Sequence, residues 1–458
     1  MSTTHSRAAK EFLKDQKYAK WHDNTFWSVR TKRDNMAQGL DECEQLREKA
    51  SAIKRHTITH LDEYLEEFST NAEKNGAIVH WAKDAQEFNE IVYGILECHK
   101  VKKMVKSKSM LTEECEMNPY LEARGIEVVE TDLGERIIQL KGQKPSHIVM
   151  PAIHLNHDDV GELFEEKGIS NEKGNHDPTY LTYQARLSLR NEFLTADAGM
   201  TGGNFGIAAT GDIVVCTNEG NADMSTSCPK LHIAAVGLEK IIPNYDCLAV
   251  FQRMLCRAGT GQPTTTYTSH FRKARPTAAP MHIVLVDNGR SEWIANPQHW
   301  EMLKCIRCGS CMNSCPVYRR SGGYSYSYFI PGPLGINLGM LRNTKLHSGN
   351  VSACTLCLSC QTVCPVKINL GDQIYQWRQQ LDEFGTANPQ KKMMCKGMNV
   401  LFGSSGMYNT AMKFAPMANW VPGFLMNCSL NPWAEGGHEM MKFPRNSFQE
   451  LWRKGKVK

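Results

Sequence analysis

Over residues 1–75, Leu40, Cys43, Leu46 and Ala50 fall three or four positions apart, and Ile58, Leu61, Leu65 and Phe68 continue the spacing. The segment is therefore expected to be helical, with one apolar stripe facing a core. From 76 to 290 the pattern changes to short apolar runs separated by amphipathic stretches. AIVHWA (77–82), KKMVK (102–106), IEVVET (126–131), HIVMP (147–151), IVVCT (213–217), HIAAVG (232–237) and HIVLVD (282–287) read as strands. Helical patterns lie between several of them, for example AQEFNEIVYGILECHK (85–100) and TEECEMNPYLEARG (112–125). Such alternation predicts an α/β domain with a mainly parallel sheet. QPTTTYTSHFRKARPTAAP (262–280), polar and proline-bearing, reads as a loop or arm crossing to the last strand. After DNGRS (287–291) a short amphipathic helix leads into a cysteine-rich, α-helical module over 291–385. Residues 386–458 form a tail region with weak helical signals around 390–418, and its Trp420, Phe424 and Trp433 are expected to lie across another surface.

A chain of 458 residues is long enough for about three such units. With 41% hydrophobic and 22% charged residues it is not dominated by disorder, and its net charge of +5 is too evenly spread to argue for nucleic acid. The amino terminus lacks the apolar stretch of a secretory signal, and no uninterrupted apolar run reaches ~18 residues. A cytoplasmic protein without an integral membrane segment is expected, any contact with the inner face of the membrane being peripheral and through partners. Seventeen cysteines are many for a reducing compartment. Eight of them fall between Cys305 and Cys364; the others, including Cys115, Cys216 and Cys256, are scattered without ligand spacing and read as small buried hydrophobes.

The eight form two runs. C-I-R-C-G-S-C-M-N-S-C-P supplies Cys305, Cys308, Cys311 and Cys315, and C-T-L-C-L-S-C-Q-T-V-C-P supplies Cys354, Cys357, Cys360 and Cys364. Both match C-x2-C-x2-C-x3-C-P, the bacterial ferredoxin spacing, in which the fourth cysteine ligates the other cluster. Two 4Fe-4S clusters are expected. Cys305, Cys308, Cys311 and Cys364 would hold the first; Cys354, Cys357, Cys360 and Cys315 would hold the second. Proline after the fourth cysteine suits a departing helix, since it fixes φ and has no N–H to leave unpaired. Zinc is the competing reading, but a doubled run of this kind is poorly suited to one tetrahedron. All eight positions are filled, which favours electron relay over chemistry at iron. The 38 residues between the runs include GGYSYSYFIPGPLG (322–335), expected to form a docking loop.

Polar groups also gather at expected strand ends, where open α/β sheets place ligands. Lys106, Ser107, Lys108 and Ser109 combine two cations with two hydroxyls and suit a carboxylate or phosphate. Thr131–Glu135, Asn218–Asn221 and Gly259–Gln262 are turn-like and suit walls of the same crevice. His147, His154 and His157 straddle a strand and a loop, a weak case for a metal. No nucleophile elbow, P-loop or dinucleotide fingerprint occurs; the glycine-rich GMTGGN (199–204) does not match G-x-G-x-x-G. No catalytic residue is assigned.

With these residues in view the chain resembles the lactate utilization protein B family of L-lactate oxidation iron–sulfur proteins. The likeness runs from FWSVR (26–30) to CPVKI (364–368), through VKSKSM (105–110), ETDLGERIIQL (130–140), PSHIVMPAIH (145–154), TNEGN (217–221), VDNGRS (286–291) and both cysteine runs. The resemblance implies an α/β region similar in fold to sugar-phosphate isomerases and CoA transferases. It also implies a role in oxidising L-lactate to pyruvate beside two partners, a cysteine-rich A-type protein and a C-type protein sharing the α/β domain, with an unknown electron acceptor. Relatives read A-E-T-G where this chain has Ala208–Gly211, so Ala209 replaces an expected glutamate, and they carry a glycine and an arginine near Ala222 and Asp223. Three functions stay open: an electron-transfer subunit, a catalytic subunit binding lactate or a related 2-hydroxy acid through Lys106 and Lys108, and a redox-sensing scaffold.

Overall fold

A computed structural model describes residues 4–274, 276–386, 389–426 and 441–456. The chain divides into two compact units, Ser2–Gln380 and Leu381–Lys458. In the larger unit four helices, Thr4–Phe12, Gln16–Gln38, Cys43–Thr59 and Leu61–Lys74, precede the first strand. Their stripe is the one the spacing marks out: Ala50 and Phe68 are fully buried, and Leu46, Ile58, Leu61 and Leu65 nearly so.

Ten strands follow: β1 (Ile78–Ala82), β2 (Lys103–Lys106), β3 (Glu127–Glu130), β4 (Ala198–Gly202), β5 (Phe205–Ile207), β6 (Asp212–Thr217), β7 (Leu231–Gly237), β8 (Ile241–Ile242), β9 (Tyr267–Phe271) and β10 (His282–Val286). Six make a wholly parallel sheet in the order β1-β10-β7-β4-β2-β3. Alternate residues serve its two faces. Ile233, Ala235, Val284 and Val286 pack with Phe88, Val92 and Leu96 of the helix Ala85–Cys98 on one side. Ala234, Val236, Ile283 and Leu285 pack with Leu65 and Phe68 on the other. Burial on both faces explains why these strands are continuous apolar runs.

A second sheet, in the order β8-β5-β6-β9, corrects two sequence expectations. The IVVCT strand lies here, antiparallel to both neighbours, and not in the parallel sheet. The polar arm 262–280 contains β9, which pairs with β6 from Tyr267↔Thr217 to Phe271↔Ile213. It sits at the sheet's edge, where polar and apolar residues are both tolerated. HIVMP (147–151) is a set of turns. There the buried His147 ring accepts the N–H groups of Val149 and Met150 at Nδ1, both at 3.1 Å, and such side chain-to-backbone bonds compete with a ladder.

The central strand β4, AGMTG, has no β-branched run, yet Ala198, Met200 and Thr201 are fully buried. Gly199 is required there: a Cβ would lie 1.6 Å from the Ser225 carbonyl oxygen of the covering helix Asn221–Ser227.

Beyond β10, short helices carry the cysteine runs. The segment 322–335 is not the docking loop expected: Tyr326, Ile330 and Leu334 are buried, and the helix Gly332–Arg342 that it enters has Ile336, Leu338 and Met340 inside. Its apolar content fills the space between the two runs. The smaller unit contains helices Pro389–Phe402 and Ser405–Phe414. Trp420 and Phe424 are exposed, and Trp433 lies outside the described residues.

Gly199→Ala is expected to destabilise the larger unit by about 1–3 kcal/mol or more, because the helix backbone must move to admit the methyl; urea unfolding followed by circular dichroism measures it.

Candidate metal centre and adjoining cavity

The two cysteine runs adopt the same backbone. In the first, Arg307 and Gly309 take positive φ; in the second, Leu356 and Leu358 do, at equivalent places. Left-handed residues turn successive N–H groups toward the interior of each loop, the arrangement that favours anions. The Arg307 and Leu356 N–H groups each donate to the first sulfur of their run, Cys305 and Cys354, at 3.3 Å. The last sulfurs, Cys315 and Cys364, accept from Tyr318 at 3.5 Å and Ile368 at 3.4 Å. Gly309 is a glycine because a Cβ would crowd the His147 ring at 3.1 Å, whereas Leu358 turns an exposed side chain outward.

The sulfurs group across the runs. A small cavity is lined by Cys354, Cys357 and Cys360 together with Cys315 of the first run, closed by Tyr326, Pro333 and Ile336. Cys364 of the second run lies beside Cys305 and Cys308. Burial pushes the Cys308 thiol up to about 12, and Cys364 and Cys305 add to the rise. Burial likewise raises Cys364 to about 11, with Cys305 contributing, and Cys315 to about 11, with Cys354 and Cys357 contributing. All eight are free thiols. Among the described residues the sulfurs form no group of three within 4.8 Å of one another. A single zinc ion with bonds of about 2.3 Å needs sulfurs about 3.8 Å apart. Two sets of four thiols, spaced more widely and met by backbone N–H groups, fit iron–sulfur clusters.

Cations hold the carbonyls of these loops. Arg47 donates to the Thr362 and Cys364 oxygens at 2.7 and 3.1 Å, and Lys240 to the Cys305 oxygen at 3.1 Å. Lys304 reaches the Lys367 oxygen at 3.1 Å.

Outside the carboxyl ends of β3, β2, β4 and β7 lies a cavity of about 310 Å³. It gathers the four polar segments marked in the sequence. Ser107, Lys108 and Ser109 line it, with Asp132, with Asn218, Glu219 and Asn221, and with Gly259 and Thr260. Lys106 does not line it. Its fully buried ammonium lies 2.8 Å from Glu130, 3.7 Å from Glu113 and 3.9 Å from Glu135. Burial alone would lower its pKa, but these carboxylates outweigh burial and hold it above the ordinary lysine value. The histidines form no metal group either. His147 bonds Asn313 at 2.9 Å, His154 bonds Ser146 at 2.7 Å, and the exposed His157 lies beside Asp158. Of the positions that depart from relatives, Ala222 lines the cavity, while Ala209 and Asp223 do not.

Sequence reasoning missed the opposite wall, where Arg307 and Cys308 of the first cysteine run face this cavity together with Glu239, Lys240 and Arg290. Arg290 is 1% exposed and binds Glu239 at 2.6 Å and both oxygens of Glu114 at 2.9 Å. Its only sequence signal is the arginine of VDNGRS (286–291).

Burial, reinforced by Asp132, pushes the Glu219 carboxyl from 4.5 up to about 7. The folded chain therefore holds that proton more tightly than the unfolded one. Its stabilising contribution is complete below pH 4.5 and is lost as pH rises through 7. Glu219→Gln is expected to flatten the decline in stability over this window, read from urea midpoints across pH.

Two family models match: the LUD domain over residues 65–291 and the 4Fe-4S dicluster domain over 301–368. Lactate utilization protein B of Shouchella clausii is 39% identical over 396 residues, covering 85% of this chain and 82% of that protein. The Anoxybacillus flavithermus protein of the same name is 40% identical, covering 85% and 84%. That of Oceanobacillus iheyensis is 38% identical, covering 91% and 89%. A crystal structure of a DUF162 family protein from Deinococcus radiodurans, 13% identical, aligns over 49% of this chain and 98% of that one at a TM-score of 0.28, too low to bear on the fold.

Proposed function

The chain belongs to the lactate utilization protein B family, and from that premise we propose that it is the electron-transfer subunit of a complex oxidising L-lactate to pyruvate, carrying two 4Fe-4S clusters. The observation that carries this reading is the exchange of the fourth cysteine. Cys315 lines a cavity with Cys354, Cys357 and Cys360, and Cys364 lies with Cys305 and Cys308. Cys305, Cys308, Cys311 and Cys364 hold one cluster, and Cys354, Cys357, Cys360 and Cys315 the other. When bound, such clusters accept and release single electrons at potentials set by charge, hydrogen bonds to sulfur and exposure. The residues of this chain supply those controls: N–H groups on the first and last sulfur of each run, and a belt of Arg47, Lys240 and Lys304 that offsets cluster charge.

Complete cysteine ligation favours relay over chemistry at iron. Electrons enter from, or leave to, the A-type and C-type lactate utilization proteins and an acceptor beyond them. No helix among the described residues is long and apolar enough to cross a membrane; any contact with its inner face would be peripheral and through partners.

Anaerobically prepared protein is expected to contain about eight irons per chain and two reducible centres. The exchange itself is read by electron paramagnetic resonance. Cys315→Ser should remove the same signal as Cys354→Ser, and Cys364→Ser the same signal as Cys305→Ser. Loss of the opposite signals, or an iron content below about six, overturns the assignment.

A further inference from the structure

The cavity of about 310 Å³ is not bounded by the α/β domain alone. Its floor is the carboxyl edge of the parallel sheet, and its far wall is the turn Arg307–Cys308. A molecule in it would touch both the crevice where open α/β sheets bind ligands and the residue beside a cluster sulfur.

The polar atoms of the walls are unequally satisfied. Arg290 is saturated by Glu114 and Glu239, the groups that also close off that corner. Arg307 differs. Glu239 stands 3.6 Å away, and the arginine's Nη1 is buried without a hydrogen-bond partner among the described residues. Ser107, 3% exposed, likewise has a hydroxyl without a partner among the described residues. Two unpaired groups on one cavity, a guanidinium and a hydroxyl, are what a bound carboxylate would satisfy, since arginine matches carboxylate geometry with two parallel N–H donors. Lys108 adds a third donor, spending one bond on the Val149 oxygen at 2.6 Å. Asp132 and Glu219 form the acidic wall. Glu219 accepts the Leu133 N–H at 3.2 Å, and its pKa of about 7 lets it accept or donate a proton near neutrality.

We propose that this cavity binds a small 2-hydroxy or 2-oxo carboxylate, its carboxylate held by Arg307 with Ser107 and Lys108, its 2-oxygen toward Glu219 and Asp132, and Cys308 in the same wall. The proposal rests on the cluster assignment above and extends it: the electron-carrying subunit also binds the small carboxylate itself. Arg307 and Lys108 are binding residues, and Glu219 positions the 2-oxygen. Lys106, enclosed by carboxylates, takes no part.

The test uses full-length, iron-loaded protein under anaerobic conditions, titrated calorimetrically with L-lactate, pyruvate, acetate and inorganic phosphate. L-lactate or pyruvate should bind saturably, at least tenfold more tightly than acetate or phosphate. Arg307→Gln and Lys108→Gln should each weaken that binding at least tenfold with iron content unchanged, and Arg307→Lys should recover part of it. Saturating ligand should also shift the resonance of the reduced cluster lost in Cys305→Ser. Should Arg307→Gln fail to hold iron, Ser107→Val, outside the cysteine runs, replaces it, with at least a threefold loss expected. No binding by iron-replete protein, binding unchanged in the variants, or phosphate bound as tightly as pyruvate overturns the proposal while leaving the clusters intact. Protein with fewer than about six irons fails the cluster assignment instead, so the two failures are distinguishable.

Discussion

A buried guanidinium sets the arrangement on which the larger unit depends. Arg290, just beyond β10, is met by Glu114 from the helix after β2 and by Glu239 from the turn after β7. Glu114 also takes Asn288 at 2.8 Å and Arg342 at 2.9 Å, the latter from the helix between the cysteine runs. Glu239 faces Arg307 at 3.6 Å, and the adjacent Lys240 reaches the Cys305 carbonyl. Burying such charges costs several kcal/mol per ion, and paired burial is weak evidence for stability. What the network supplies is registry. It admits one relative placement of three strand ends, the first cysteine run and the helix beyond it, because any other leaves a buried charge unpaired. Burial would raise the Glu239 carboxyl, but Arg290, Lys240 and Arg307 overcome it and hold the group well below the ordinary carboxylate range.

The same edge of the sheet receives the cysteine module through neutral contacts. Tyr318 donates to the Ser146 oxygen at 2.7 Å, and Asn313 donates to the Gly259 oxygen at 2.8 Å while accepting from His147. Two acceptor bonds at Nδ1 fix the His147 proton on Nε2, so burial and this geometry agree in keeping the ring neutral, with its pKa lowered to about 3. Gly259 admits no side chain there, since a Cβ would meet the Cys308 oxygen at 2.7 Å. The turns of 146–151 are thus a docking surface built into the α/β domain, and that is why an apolar pentapeptide does not extend as a strand.

Much of this was legible before the structure. The cysteine spacing carries its own chemistry, and continuous apolar runs announced β7 and β10, since a strand buried on both faces has few polar positions to blur it. What escaped notice did so for identifiable reasons. β4 is built from small residues because a helix backbone crowds it at Gly199, and so lacks strand composition. β9 pairs at an edge, where composition is permissive. The pair Lys106 and Lys108 would share a face only if the strand continued, but β2 stops at Lys106 and the chain turns. The wall formed by Arg307 and Cys308 is a contact across more than 150 residues from Lys108, and no local pattern encodes it.

The fate of Lys106 changes how the open functional readings relate. Of the two lysines in KSKS, one is neutralised by Glu130 with Glu113 and Glu135 nearby, leaving Lys108 as the cation that the α/β segment itself gives the cavity from that motif. Beside it, 3.8 Å from its ammonium, stands Asp132, with Glu219 from the same domain, so this part of the sheet edge offers an anion little net attraction. The balance is tipped from outside the domain. Arg307, with a guanidinium nitrogen lacking a hydrogen-bond partner among the described residues, comes from the first cysteine run, and it is adjacent in sequence to Cys308. On the proposal above, a pocket that takes its unpaired guanidinium from the cysteine module is competent only when that module is folded. Electron carrier and binding subunit are then not competing descriptions, because the residue that would recognise the ligand and the sulfur that would hold the cluster lie on one turn.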